Sequence, residues 1–443
     1  MKQILKFLLL TFLFTVSTNA IDLPTFWRTS MFQGEPGNDI RNGTVYFDVK
    51  GSYGSTKSGF NGSGDTTNIL NINGLVDVNN LALNLENLTS ASKPITYQYL
   101  RETSGTIPAL NFTGNNGKFE LNGKIKTQEL AFEARVNAKS GFFGRIHVPL
   151  RKVEIKDISI INKTSSDATG ASTFQDFLDN HLDTVLSENG LDSITTTFDK
   201  ESIGDISINI GWEGYGNGNF GVIKSFSGSI AGTLTIPTGP REKLNRVVSV
   251  PLGHDGHIGL GVRGNAQAHL SNWFAVGANL GVNVFLSRTT TKRMPTSKDQ
   301  NGLVLLEQGR AETDPGALWD LGGYLKLDKP FGGFYGIAGY SFTTQESKRR
   351  VVKDSQFLYT LIFNQTQAGT HAHNKDDIVN SDQQLKQWNQ HILQFALGYD
   401  FKTHKSNFAP RFEFFYNYPL FGKRVFKTDM IGGLAGLIMH WDF

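Results

Sequence analysis

The chain has 443 residues with 48 glycines, 33 phenylalanines and no cysteine; 19% of residues are charged and the formal net charge is +3. Without cysteine there is neither a disulfide framework nor a thiolate metal site, and so small a net charge argues against a nucleic-acid partner. After the first twenty residues no stretch reaches the roughly 18 consecutive apolar residues of a transmembrane helix.

The opening segment MKQILKFLLLTFLFTVSTNA joins basic Lys2 and Lys6 to an apolar run, Phe7–Val16, and ends in small residues at Thr18 and Ala20. That order is expected of a cleaved signal peptide over 1–20, leaving residues 21–42 as an N-terminal arm. From 43 onward apolar and polar residues alternate, the mark of strands with one wet and one dry face. The test is met at 45–53, 130–138, 143–150, 206–213, 221–236, 257–270, 273–286, 317–328, 333–342, 391–401, 408–420 and 430–443, twelve strands in all. The segment NILNINGLVDVNNLALNLENL (68–88) is either a folded loop or a further hairpin, which raises the count to fourteen.

Connections between these strands alternate in length. Long loops are expected at 54–129, 151–205, 237–256, 287–316 and 343–390, and short turns at 139–142, 214–220, 271–272, 329–332 and 402–407, with 420–429 intermediate. In the second long loop, Phe174, Phe177, Leu178, Leu182, Val185 and Leu186 recur at helical spacing, so 173–191 is expected to be a short helix at the mouth. Short turns on one rim, long loops on the other and an even strand count describe an all-β, antiparallel up-and-down transmembrane barrel. A soluble sandwich also alternates. Here the apolar parity ends in aromatic residues such as Trp212, Trp319, Phe401, Tyr416, Tyr418 and Trp441, as a lipid belt requires.

The polar parity then faces a lumen. On it lie Asp48, Lys50, Glu133, Arg135, Arg145, His147, Glu213, His257, Arg263, His269, Asp320, Lys326, Asp400, Arg411 and Glu413. Opposite signs close together in a narrow barrel are expected to pair, and twelve strands give a bore between the filled eight and the open sixteen.

Four motifs bear on chemistry. GLGVRG (259–264) matches a dinucleotide pattern but sits inside a strand with no helix behind it, so its glycines are read as thinning the wall. GHDGH (253–257) offers His254, Asp255 and His257 as a metal pair or a base held by a carboxylate, against the plainer reading of a polar rim turn. THAHNKDD (370–377) places His371, His373, Asp376 and Asp377 in an outer loop and reads as a solvated segment with weak cation affinity. SKRRVVK (347–353) is a basic run able to pair with lipopolysaccharide phosphates, or simply a solvated loop. None supports an enzyme, a metal or another cofactor as the first expectation.

The last strand resembles the assembly signal of bacterial outer-membrane β-barrel proteins: alternating apolar Leu437 and Met439, aromatic Trp441 third from the end, and terminal Phe443. IDLPTFWRTSMFQGEP, at the start of the arm, is similar to the short plug segments that precede the first strand of hydrophobic-compound channels. The resemblance is to a superfamily, porin-like or hydrophobic-compound-channel-like. It implies a Gram-negative outer-membrane location, a periplasmic or lumenal position for 21–42, a barrel over 43–443, and recognition by the barrel-assembly machinery. The expected function is a channel for passive, selective diffusion of small polar or amphipathic solutes, with outer-membrane lipid and lipopolysaccharide as surroundings. The alternatives are a non-conducting structural or surface-recognition barrel and a rim-located hydrolase.

Overall fold

The computed structural model describes residues 43–78, 81, 117–138, 140–165, 171–330, 332–354, 375–401 and 408–441. Twelve long strands form its wall: β1 (Gly43–Thr56), β2 (Lys118–Asn137), β3 (Phe142–Asn162), β4 (Ile206–Phe220), β5 (Ile223–Ile236), β6 (Gly259–His269), β7 (Phe274–Phe285), β8 (Ala317–Asp328), β9 (Phe334–Gln345), β10 (Trp388–Asp400), β11 (Phe408–Lys423) and β12 (Asp429–Trp441). Each strand pairs antiparallel with its neighbour in the chain. The ring closes where β1 pairs with β12, from Gly43 opposite Trp441 to Ser55 opposite Asp429. Closure leaves no edge, which matters because an unpaired backbone group in lipid costs several kcal/mol.

Which parity faces out is decided by solvent. Phe47 and Val49 on β1, Leu130 and Phe132 on β2, Leu321 and Leu325 on β8, and Phe412 and Phe414 on β11 are all exposed on the outer surface. So continuous an apolar girdle is stable only against acyl chains. Trp212, Phe142, Trp273, Tyr399 and Phe401 ring it near the short turns, and Tyr53, Trp319 and Tyr418 ring it near the long loops.

β2 shows where the girdle ends. Its even positions read Val136, Phe132 and Leu130 and then change to Gln128, Lys126, Lys124 and Glu120; its odd positions read Arg135, Glu133 and Glu129 and then change to Ile125, Leu121 and Phe119. The strand therefore keeps its parity while its chemistry inverts near Thr127. β3 inverts in register with it, where Arg151 pairs with Glu129 and Lys152 with Gln128. Below that line the wall is apolar outside and polar inside, as lipid demands. Above it the wall stands in water and packs an apolar interior.

That upper interior is the main hydrophobic core. Ile69, Leu70 and Ile72 pack with Leu121, Ile125, Val153 and Ile155, with Phe174, Leu182 and Leu186, and with Val248, Leu252, Val304, Leu306 and Phe426. Four long connections and the turn carrying Phe426 thus fold into one cap over the outer end of the barrel.

Several elements differ from the local reading. β2 starts at Lys118 rather than 130, and β3 runs to Asn162 rather than 150, because strand pairing continues above the lipid line. Residues 214–220 belong to β4, and the turn lies at Gly221, whose φ of +64° is open to glycine at little cost. The long loop at 287–316 contains paired strands Arg288–Met294 and Glu307–Asp314, joined by Arg349–Val352. Residues 173–191 form helix α1 (Ala171–Asn180) and helix α2 (Leu182–Glu188), with apolar faces sunk in the cap. The 68–88 segment adds no strand to the ring among the described residues, since β1 pairs directly with β2. The expected signal peptide, the arm at 21–42, His371, His373 and Phe443 lie outside the described residues.

Candidate functional site: the barrel interior and its outer cap

The polar residues expected to face inward alternate with the exposed apolar residues of their strands; Asp48, Lys50, Glu133, Arg135, Glu213, His257, His269, Asp320 and Lys326 are buried, Arg145, His147, Asp400, Arg411 and Glu413 partly so, and Arg263 is exposed. One arc of wall joins most of them. Arg411 holds Asp48 bidentately, its Nε 3.0 Å from Oδ1 and its Nη2 on Oδ2. Glu133 accepts from Lys50 Nζ at 3.1 Å and from Arg145 at 2.6 Å, with His147 Nδ1 3.7 Å away. Arg135 reaches Glu213 at 2.5 Å across the lumen wall, and the Tyr335 hydroxyl donates to Glu413 at 3.0 Å. Charges this buried persist only when paired and hydrogen-bonded.

The other positions are more dispersed. Asp320 accepts from Thr343 at 2.9 Å and lies 3.8 Å from Arg263, while Lys326 lies 3.7 Å from Asp328. His269 bonds Gln267 at 2.8 Å, and Asp400 meets Lys329 at 3.1 Å at the short-turn rim. His257 Nδ1 is 2.9 Å from the Leu286 carbonyl, fixed by backbone at the outer rim. Glu129 and Arg151, a 2.8 Å pair, were not singled out from sequence because they fall in segments read as loops. Extending the β2 and β3 parity upward would have found them.

The opposite arc is built of small residues. β5 turns Ser225, Ser227, Ser229, Thr233 and Thr235 inward, and β6 and β7 contribute Gly261, Asn265, Gly277, Asn279 and Gly281. Such side chains cannot fill the bore, and Arg263, pointing inward among them, keeps 49% of its side chain exposed. The lumen is thus lopsided, with an ionic lattice on one side and a wetted, small-residue wall on the other. Inward aromatics are kept flat by cross-strand glycines. Tyr324 lies over Gly277, where an added Cβ would stand 2.1 Å from the ring, and Phe415 lies likewise over Gly432.

At the outer rim, Pro149 on β3 supplies no N–H, and the strand changes partner from Ser207 to Ile203 around it. Asp205 sits at this step. It accepts from the His254 backbone at 2.5 Å, from His254 Nδ1 at 2.9 Å and from Gly239 N at 2.9 Å. Burial opposes its charge, but the His254 side chain and these backbone donors hold its carboxyl below the usual range. Asp255, at φ +52°, bonds Lys292 and accepts from Glu242 N at 3.1 Å. His254, Asp255 and His257 therefore each brace a different loop rather than converging, and among the described residues no His, Asp and Glu side chains cluster as a metal site.

The basic run 347–353 is divided by the strand period. Lys348 and Arg350 are buried in the cap, whereas Arg349 is exposed and Lys353 pairs with Glu312 at 2.7 Å. It is not the continuous solvated patch that its sequence suggests. Inside the cap lies a cavity of about 50 Å³, lined by apolar residues of the packed connections and by Glu242, Lys243, Ser249, Arg293, Arg350 and Gln384.

No family model matches the chain, and no curated protein does. Among solved structures it is similar to the COG4313 outer membrane channel from Pseudomonas putida F1, with 10% identity, a TM-score of 0.45, and coverage of 91% of this chain and 99% of that one. The translocator domain of the autotransporter NalP from Neisseria meningitidis gives 9% identity and a TM-score of 0.29, over 92% of this chain and 90% of that one. A FadL homologue from Pseudomonas aeruginosa gives 8% and 0.25, over 96% and 100%.

Proposed function

We propose that this barrel is an outer-membrane channel through which small polar or amphipathic solutes diffuse passively. The reading is carried by one observation: inward-pointing Arg263 stays half exposed on a wall of serine, asparagine and glycine, so that arc of the lumen holds water. Interior residues that served packing alone would have excluded water, as the ionic arc does. Solutes are sorted by the cap, since its apolar core stands over the outer mouth and a solute has to pass beside or through it. The mixed-sign lining favours neither anions nor cations strongly. Lipid, lipopolysaccharide and the assembly machinery, the latter through Leu437, Met439, Trp441 and Phe443, are the partners this reading entails.

The test is single-channel recording of refolded protein in planar bilayers. Discrete conductance is expected, with Arg263→Glu shifting the reversal potential toward cations under a salt gradient. The packed cap favours a second reading, a barrel closed by its loops and used for structure or surface recognition. Absence of conductance both from the intact chain and from one with a destabilised cap would establish that reading instead.

A further inference from the structure

The cavity inside the cap combines features that a loop core does not need. Its apolar walls include Ile72, Val248, Leu303, Leu305 and Phe426, and its charged lining is Glu242, Lys243, Arg293 and Arg350. Arg350 is 8% exposed, and its Nη1 donates to the Arg293 carbonyl at 3.2 Å. The only carboxylate within ion-pair range among the described residues, Asp382, stands 3.6 Å off, beyond hydrogen-bonding distance. Among the described residues Arg350 Nε is buried with no acceptor, and Asp382 Oδ2 is equally without a donor. Asp382, which stands behind Arg350 and not on the cavity wall, accepts from Gln384 N at 2.9 Å with its other oxygen, and Glu242, the acid that does line the cavity, lies 3.3 Å from Lys292. A buried guanidinium so weakly neutralised is costly unless a further anion completes it.

We propose that this cavity is a binding site for a short-chain monocarboxylate, its carboxylate on Arg350 and its alkyl group against Leu303, Leu305 and Phe426. Arginine suits a carboxylate because its planar donors match the two oxygens. Size sets the chain length. A water needs roughly 10–15 Å³ of such space, whereas a 150 Å³ cavity holds benzene, so about 50 Å³ accommodates only a few heavy atoms, on the scale of propionate. The site lies in the cap and not in the lumen, so occupancy does not depend on whether the barrel conducts.

The experiment is ligand-observed saturation-transfer NMR with propionate on the refolded mature chain in detergent, with propionamide and octanoate as comparison probes. Saturable propionate binding is expected, with propionamide at least tenfold weaker and octanoate unable to compete. Arg350→Gln should weaken propionate at least tenfold. Because that change strands Asp382 and can unfold the cap, Leu303→Trp is the second variant. It fills the cavity and leaves the Arg350–Asp382 pair in place, and should abolish binding while the barrel keeps its heat-modifiable mobility on gels. The proposal is overturned if propionate shows no saturable binding, if propionamide or octanoate binds as well, or if folded Arg350→Gln or Leu303→Trp protein binds unchanged.

Discussion

Arg293 is the residue whose loss should most cleanly separate cap from barrel. It closes the strand Arg288–Met294, and its guanidinium reaches five backbone carbonyls: Leu244 at 2.5 Å, Leu306 at 2.5 Å, Asn189 at 2.8 Å, Gly190 at 3.1 Å and Leu305 at 3.4 Å. Those acceptors come from the end of α2 and from two other long loops, so one side chain ties three segments together. Arg293→Met keeps the packing volume and removes every donor. Two of the stranded carbonyls, those of Leu305 and Leu306, belong to fully buried bonds. At about 1–3 kcal/mol for each unsatisfied acceptor, and allowing for the guanidinium desolvation that is no longer required, the cap loses about 3 kcal/mol. Since about 1.4 kcal/mol is a factor of ten, cap opening should rise roughly a hundredfold. Hydrogen exchange followed by mass spectrometry reads this directly. Peptides over 188–194 and 301–307 should lose protection by about that factor, while those from β6 to β8 keep theirs, because the barrel ladder shares no bond with Arg293. Unchanged exchange at 301–307, or uniform loss throughout the barrel, would refute the reasoning.

Three further outcomes are expected. Because Asp205 is held below its unfolded value, the stability it contributes is present above the ordinary carboxylate range, near pH 4, and is lost as pH falls through the depressed folded value; urea unfolding should show this acid limb in the natural chain and lack it in Asp205→Asn. Leu325→Arg, in the middle of the outer girdle and 50% exposed, should cost about 2–4 kcal/mol in bilayer unfolding measurements, whereas Ser229→Arg, on the lumen wall, should leave stability nearly unchanged and reduce conductance. Gly277→Val forces Tyr324 off the wall, since the new Cβ would stand 2.1 Å from its ring; the ring then loses its 3.1 Å bond to Gln267, and single-channel current should fall.

Much of this molecule was legible residue by residue. Alternation in FAPRFEFFYNYPL put Phe412 and Phe414 on one face and Arg411 and Glu413 on the other, and the structure has the same division. The inward residues were identifiable because lipid and lumen impose opposite chemistry on neighbouring positions of one strand. Where a strand leaves the membrane that rule reverses, so KFELNGKIKTQ read as loop although it is strand from Lys118 onward. Which charges pair was less legible. Glu133 meeting both Lys50 and Arg145 depends on the register of three strands, and parity gives the face of a residue but not its partner.

The alternating wall, with its dry outside and polar inside across the membrane, was determined by sequence alone, because a period of two is a local property and the solvent on each face selects the side chains there; that the ring has twelve strands and not fourteen was decided by the direct pairing of β1 with β2. The cap was decided only by tertiary structure. Arg293 reaches Asn189 across 104 residues, and Arg350 stands 3.6 Å from Asp382 where the long connection between β9 and β10 folds back on itself, and no short-range pattern marks either contact. Their burial, and with it the cavity they border, follows from the closed ring bringing all its long connections to one end, where they have only each other to pack against.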